Sequence, residues 1–136
     1  MLHHQQLDPD LKQIVDWILL KEQPNRDIVM AWSADSKAII KHFERLVIDN
    51  NGLLCRRFVN INAPDTLQVI MPQSLRQQFL QDLHISTGHL GQARLEAAVR
   101  CRAFWPGWTT DVLKTLQQCH QCAAYYRGQP AHRLPM

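Results

Sequence analysis

His84-Ile-Ser-Thr-Gly-His89, then Phe104-Trp-Pro-Gly107, then Cys119-His-Gln-Cys122 is the stretch that decides how the second half of this chain folds. Four residues separate the two histidines, and twenty-nine separate His89 from Cys119. Two histidines followed by a Cys-x-x-Cys form the donor set of a closed zinc site. Zinc takes imidazole nitrogen and thiolate sulfur in a tetrahedron, and a Cys-x-x-Cys turn presents two sulfurs to one ion. The order is the reverse of that in a ββα zinc finger, and the spacing is longer. The pattern therefore predicts one structural Zn2+ held by His84, His89, Cys119 and Cys122. With all four positions filled by protein, it also predicts no catalysis at the metal, which would need an open position beside a general base.

Around the four ligands the apolar spacing is helical. Pro72 opens a helix with Leu75, Phe79 and Leu83 at steps of four and Leu80 beside them, and Ser74 with Gln77 resembles a capping box. On a continuous helix, residues five apart point about 140° apart, so the helix must loosen before His89, and Gly88 supplies the freedom. Residues 91–102 read as a further helix with Leu95, Ala98 and Val99 as its apolar face. Pro106-Gly107 turns the chain. Thr109 or Thr110 then caps a last helix, with Val112, Leu113 and Leu116 facing inward, which returns Cys119 and Cys122 towards the histidines. Trp105 reads as a core side chain at the corner, Cys55 and Cys101 as buried thiols, and His120 as solvent-facing.

The first half reads as a separate small module. Residues 1–6 look like a loose tail. Asp8 and Pro9 mark a helix start, followed by Leu11, Ile14, Val15 and Ile18, and Pro24 ends it. Residues 25–32 are ambiguous, and Ser33 caps a second helix with Ile39, Ile40 and Phe43 as its stripe. Leu46–Ile48, 53–59 and 67–70 read as strands, separated by Asn50-Asn-Gly52 and by Ala63-Pro64-Asp65. The expected fold class is α+β. A helix-plus-three-stranded antiparallel module spans 1–70, a zinc-stapled, helix-turn-helix-like bundle of short helices spans 71–127, and a linker or tail occupies 128–136.

Charge divides the same way. Residues 1–75 carry eight Lys/Arg against nine Asp/Glu, a net −1, and residues 76–136 carry seven against three, a net +4. A basic half is compatible with phosphate contacts. Arg94, Arg100, Arg102, Lys114 and Arg127 are the candidate contacts to DNA or another partner. The composition is 46% hydrophobic and 20% charged, with no apolar run of membrane-spanning length, so membrane partners are not expected, and the filled metal shell gives no reason to expect a small-molecule substrate. Four cysteines without a signal-peptide pattern favour thiols and metal over disulfides, and an intracellular setting, nuclear if the chain engages DNA, is expected.

The run Leu83-His-Ile-Ser-Thr-Gly-His-Leu-Gly91, with Phe104-Trp-Pro-Gly107, Asp111-Val112 and Cys119-x-x-Cys122, resembles the HHCC N-terminal domain of retroviral and LTR-retrotransposon integrases, most closely the gypsy type. The resemblance is strong over residues 70–127. It extends more weakly upstream, where Asp10-Leu11, residues 46–57 and Ile70-Met-Pro72 are similar to an N-terminal extension domain. It implies a module that multimerises and engages element-end DNA. It also implies that the catalytic core, with its Asp, Asp and Glu ligands, is not matched by any acidic residue here, so this chain is not expected to be an enzyme by itself. The competing expectation is a domesticated, integrase-derived adaptor whose zinc fold presents a surface to a cellular protein.

Overall fold

The computed structural model describes residues 1–59, 65–89 and 91–119. Contacts divide the chain into two compact units, Met1–Leu75 with Cys101–Pro106, and Arg76–Arg100 with Gly107–Met136. The mixed helix-and-strand class expected from the sequence holds.

In the first unit, Asp8 and Pro9 start a helix for the expected reason. The Asp8 carboxylate accepts hydrogen bonds from the backbone N–H groups of Asp10 and Leu11, and proline at the first position gives up a donor that would go unused. This helix, α2 (Pro9–Leu20), is preceded by α1 (Leu2–Leu7), where a loose tail was expected. α2 stops at Lys21, whose φ of 57° is left-handed, rather than at Pro24. Asn25 caps a short α3 (Arg26–Met30), and Ser33 caps α4 (Ala34–Ile40) through its hydroxyl.

Strands β1 (Leu46–Ile48), β2 (Leu54–Phe58) and β3 (Thr66–Ile70) form the expected antiparallel meander, with Val47 opposite Cys55 and Cys55 opposite Val69. Gly52, at φ +83°, makes the turn between β1 and β2. The Ala63-Pro64 part of the next turn lies outside the described residues. The sheet has a fourth strand that was not expected, β4 (Ala103–Phe104), parallel to β3. The Val69 and Met71 N–H groups donate to the carbonyls of Arg102 and Phe104, at 3.0 and 3.1 Å. Leu11 and Ile14 from α2, Ile39 and Ile40 from α4, and Leu46, Leu54 and Ile70 from the sheet form this unit's core, with Phe43, Trp32 and Phe104 packed around it.

The α1 helix is held to the sheet by Gln5, which is 3% exposed. Its side-chain amide donates to the carbonyls of Leu54 (3.0 Å) and Ile70 (2.8 Å), and its oxygen accepts the Leu54 N–H (2.8 Å). Paired positions between β2 and β3 end at Cys55 and Val69. Gln5 therefore occupies the next rung, satisfying backbone groups that burial would otherwise leave unmet.

The second unit is three helices: α5 (Arg76–Ser86), α6 (Gln92–Arg100) and α7 (Trp108–Gln118), each packed on the other two. α5 begins after a 3-10 turn at Gln73–Leu75, later than Pro72 suggested. Leu80 and Leu83, Leu95 and Val99, and Val112 and Leu116 are its buried aliphatic side chains. Two expectations fail here. Leu113 is exposed, because a helix buries positions four apart and Val112 with Leu116 already fills that face. α7 starts at Trp108 behind Gly107, at φ +79°, and not at a threonine cap. In the first unit, Cys101 is exposed in the turn before β4, whereas Cys55 is buried as expected.

Candidate metal centre

His84 lies four residues after Leu80, so the helix turns its imidazole to the same inward face, and it is 3% exposed. Five residues on, His89 reaches the same place through the way α5 ends. The His89 N–H donates to the carbonyl of His84 (3.1 Å), and the Gly88 N–H donates to that of Ile85 (3.1 Å). Gly88 has φ +78°. This paired 6→1 and 5→2 pattern around a left-handed glycine is the Schellman motif, which brings together the side chains three positions before the cap and two after it. Those two positions are His84 and His89. Their rings lie edge to face with centroids 4.5 Å apart. The Thr87 hydroxyl donates to the carbonyls of Leu83 (2.8 Å) and His84 (3.2 Å), holding the last turn. A glycine before the second histidine signals a loosened helix, and the structure has that break at Gly88. The left-handed φ of His89 itself, 59°, was not anticipated.

The third donor comes from the far end of α7. Cys119 follows its last turn, with the Cys119 N–H donating to the Thr115 carbonyl at 3.1 Å. Its Sγ is 3.3 Å from His89 Nδ1, which is 3.0 Å from His84 Nε2. All three donor atoms lie within 4.8 Å of one another, a group able to hold one metal ion. Zinc–nitrogen bonds of about 2.0–2.1 Å and zinc–sulfur bonds of about 2.3 Å give tetrahedron edges of roughly 3.4–3.6 Å. The His84–His89 and His89–Cys119 separations are slightly below these edges, as expected of donors gathered around one ion position. Burial lowers the His84 imidazole below its ordinary range, and the neighbouring His89 adds to this. Both effects favour the neutral form that binds metal. Cys122, the expected fourth ligand, lies outside the described residues, as does His120.

The candidate partner contacts among the described residues are carried on different elements. Arg94 and Arg100 are exposed on α6 but six residues apart, about 120° around the axis, so they do not form one stripe. Lys114 is exposed on α7, and the Arg100 guanidinium sits 5.5 Å from the centre of the Trp108 ring. Arg102 is exposed in the turn before β4, within the first unit. Arg127 lies outside the described residues. Trp105 is fully buried, as a core side chain should be. No helix among the described residues is long and apolar enough to cross a membrane.

Comparison with known proteins agrees with the donor set. The chain is similar to the Pro-Pol polyprotein of Simian foamy virus type 3 (strain LK3), with 31% identity over 64 residues. That match covers 47% of this chain and 6% of the polyprotein, so the chain spans a small fraction of that relative's length. The family model of the integrase zinc binding domain matches residues 71–126, the segment that carries both histidines and both cysteines of the motif. Residues 71–126 are thus similar to the integrase zinc binding domain, and the His84, His89 and Cys119 group lies within that segment.

Proposed function

We propose that this chain is the front part of a gypsy-type retrotransposon integrase, or a host protein derived from one. Its zinc-stapled domain holds copies of the protein together and engages element-end DNA in the nucleus. The observation that carries this reading is the convergence of His84 Nε2, His89 Nδ1 and Cys119 Sγ within one integrase zinc-binding domain. In this reading Cys122 completes the tetrahedron, and the ion is structural. It ties the end of α5 to the end of α7 and so fixes the surface that the three helices present. The second unit's described core is small, so a metal contribution on the order of 10 kcal/mol would be decisive for its stability. Arg94, Arg100, Arg102, Lys114 and Arg127 supply the phosphate contacts in this reading.

Two measurements test it. The protein as purified should carry one zinc per chain, and chelation should remove the circular-dichroism signal of α5, α6 and α7. Retention of full helicity without metal would refute the staple. Zinc-loaded protein should bind duplex DNA of an element end with a log affinity that falls linearly with log salt, by about 0.9 for each phosphate contact. Absence of duplex binding even at low salt would sink the DNA role. A stoichiometric cellular protein recovered after nuclease treatment would then establish the adaptor reading, which the net −1 of residues 1–75 favours.

A further inference from the structure

The first unit holds a cluster of positive charge that is separate from the zinc centre and that the unit's net charge conceals. A cavity of about 460 Å3 opens where α4 runs into the 3-10 turn at Phe43–Arg45, and it is lined by Gln23, Lys41, His42, Phe43, Glu44 and Arg45. That volume is within the range of small-ligand sites, roughly 300–1,000 Å3. Glu44 is the single carboxylate among the lining residues. Strand pairing brings a further cation close. Arg56 stands opposite Leu46, the residue after Arg45, and its guanidinium lies 4.3 Å from the centre of the Phe104 ring, against which His42 also packs edge-on.

Hydrogen bonding to Arg56 is sparse. Among the described residues, Arg56 has one side-chain hydrogen bond, from Nη1 to the Gln68 amide oxygen at a long 3.4 Å, and its buried Nε has no hydrogen-bond partner. Burial and then the Arg45 charge lower the Arg56 guanidinium below its ordinary value. Burial, followed by Arg56, Arg45 and Lys41, lowers His42. Like charges gathered around a single carboxylate repel, and an oxyanion seated among them would remove that repulsion while accepting charge-assisted hydrogen bonds.

We propose that the cavity bounded by Lys41, His42 and Arg45, with Arg56 behind it, is a binding site for a phosphate group. The group is either the phosphodiester of a nucleic acid or a free phosphate. A tetrahedral, anionic phosphate group matches the chemistry of the site, because a guanidinium and an ammonium offer several donors and His42 adds one more when protonated. The proposal does not require the DNA role assigned to the zinc domain.

The test uses the full, zinc-loaded chain and reads the His42 imidazole and the Arg45 side chain by NMR. Inorganic phosphate should shift both sets of signals saturably. In the Lys41→Gln/Arg45→Gln variant, affinity should fall by at least about tenfold, the loss expected when one charge-assisted hydrogen bond is removed. Both side chains are exposed, so the fold should survive, and circular dichroism checks this. A Lys12→Gln/Arg26→Gln variant removes the same charge outside the cavity and should leave the shifts unchanged. A second arm adds duplex DNA. His42 shifts with duplex, together with a shallower salt slope in the cavity variant, assign the site to phosphodiester. Shifts with phosphate and none with duplex assign it to free phosphate, whether or not duplex binds elsewhere on the chain. The proposal is overturned if neither probe moves His42, or if the Lys12/Arg26 variant loses binding as much as the cavity variant.

Discussion

The Gln5 amide stands where a strand ladder stops, and its three hydrogen bonds join α1 to two strands forty-nine and sixty-five residues away. Gln5→Leu keeps the size and apolar stem of the side chain but withdraws a donor and an acceptor from buried backbone groups. Unsatisfied buried groups cost about 1–3 kcal/mol each, so the change should destabilise the first unit by about 2–4 kcal/mol. Urea unfolding of the zinc-loaded protein, followed by tryptophan fluorescence, would show a lower midpoint with an unchanged slope. An unmoved midpoint would mean that water takes over the amide's role. Nothing in the sequence signals this residue. It is polar, lies in a stretch without apolar periodicity, and gains meaning only from strand ends far along the chain. Cys55 was more legible. Its place in an apolar strand predicted burial, and burial followed by the neighbouring Asp49 pushes its thiol up to about 11. That keeps it protonated and unreactive.

At the scale of elements, the ligands are placed by how helices end. Gly88 sits at the left-handed position of the Schellman motif that juxtaposes His84 and His89, and a Cβ there would meet nothing within 4 Å. The cost of Gly88→Ala is therefore conformational alone, about 1–2 kcal/mol. Because the turn must form for both imidazoles to reach one ion, that strain should appear as roughly tenfold weaker zinc binding in competition with a chromophoric chelator. Unchanged affinity would show that the histidines reach the metal without this turn. The glycine was readable because five-residue spacing cannot work on an unbroken helix. Helices α2, α4 and α5 to α7 and strands β1 to β3 were readable from caps and apolar period. Strand β4 was not. It is two residues long, runs directly into Trp105-Pro106, and has no alternation of its own. What makes it a strand is the unpaired edge of β3, a tertiary circumstance.

For the whole molecule, that short strand means the sequence-contiguous zinc domain and the compact units do not coincide. The segment that matches the integrase family, 71–126, contains residues 101–106, which belong with the sheet of the first unit. A fragment ending at residue 75 should therefore be an incomplete module. It would lose the acceptors of the Val69 and Met71 N–H groups, and with Phe104 an apolar ring packed against the core. Two backbone hydrogen bonds at about 1 kcal/mol each and a largely buried phenylalanine at about 1.5–3 kcal/mol amount to roughly 3–5 kcal/mol. A module of this size has on the order of 4–11 kcal/mol in total, so the loss takes much of its stability. Residues 1–75 alone should show a broad, low thermal transition. The same fragment extended through a flexible Gly/Ser linker by residues 101–106 should recover a sharp one, since a parallel neighbour needs a crossover but not a particular crossover. If the two fragments melt alike, the fourth strand contributes little and the first unit ends at residue 75. If the linked version alone is cooperative, the zinc domain's Phe104-Trp-Pro-Gly107 corner carries two duties. Phe104 completes the sheet, and Gly107 starts the helix that delivers Cys119 to the metal.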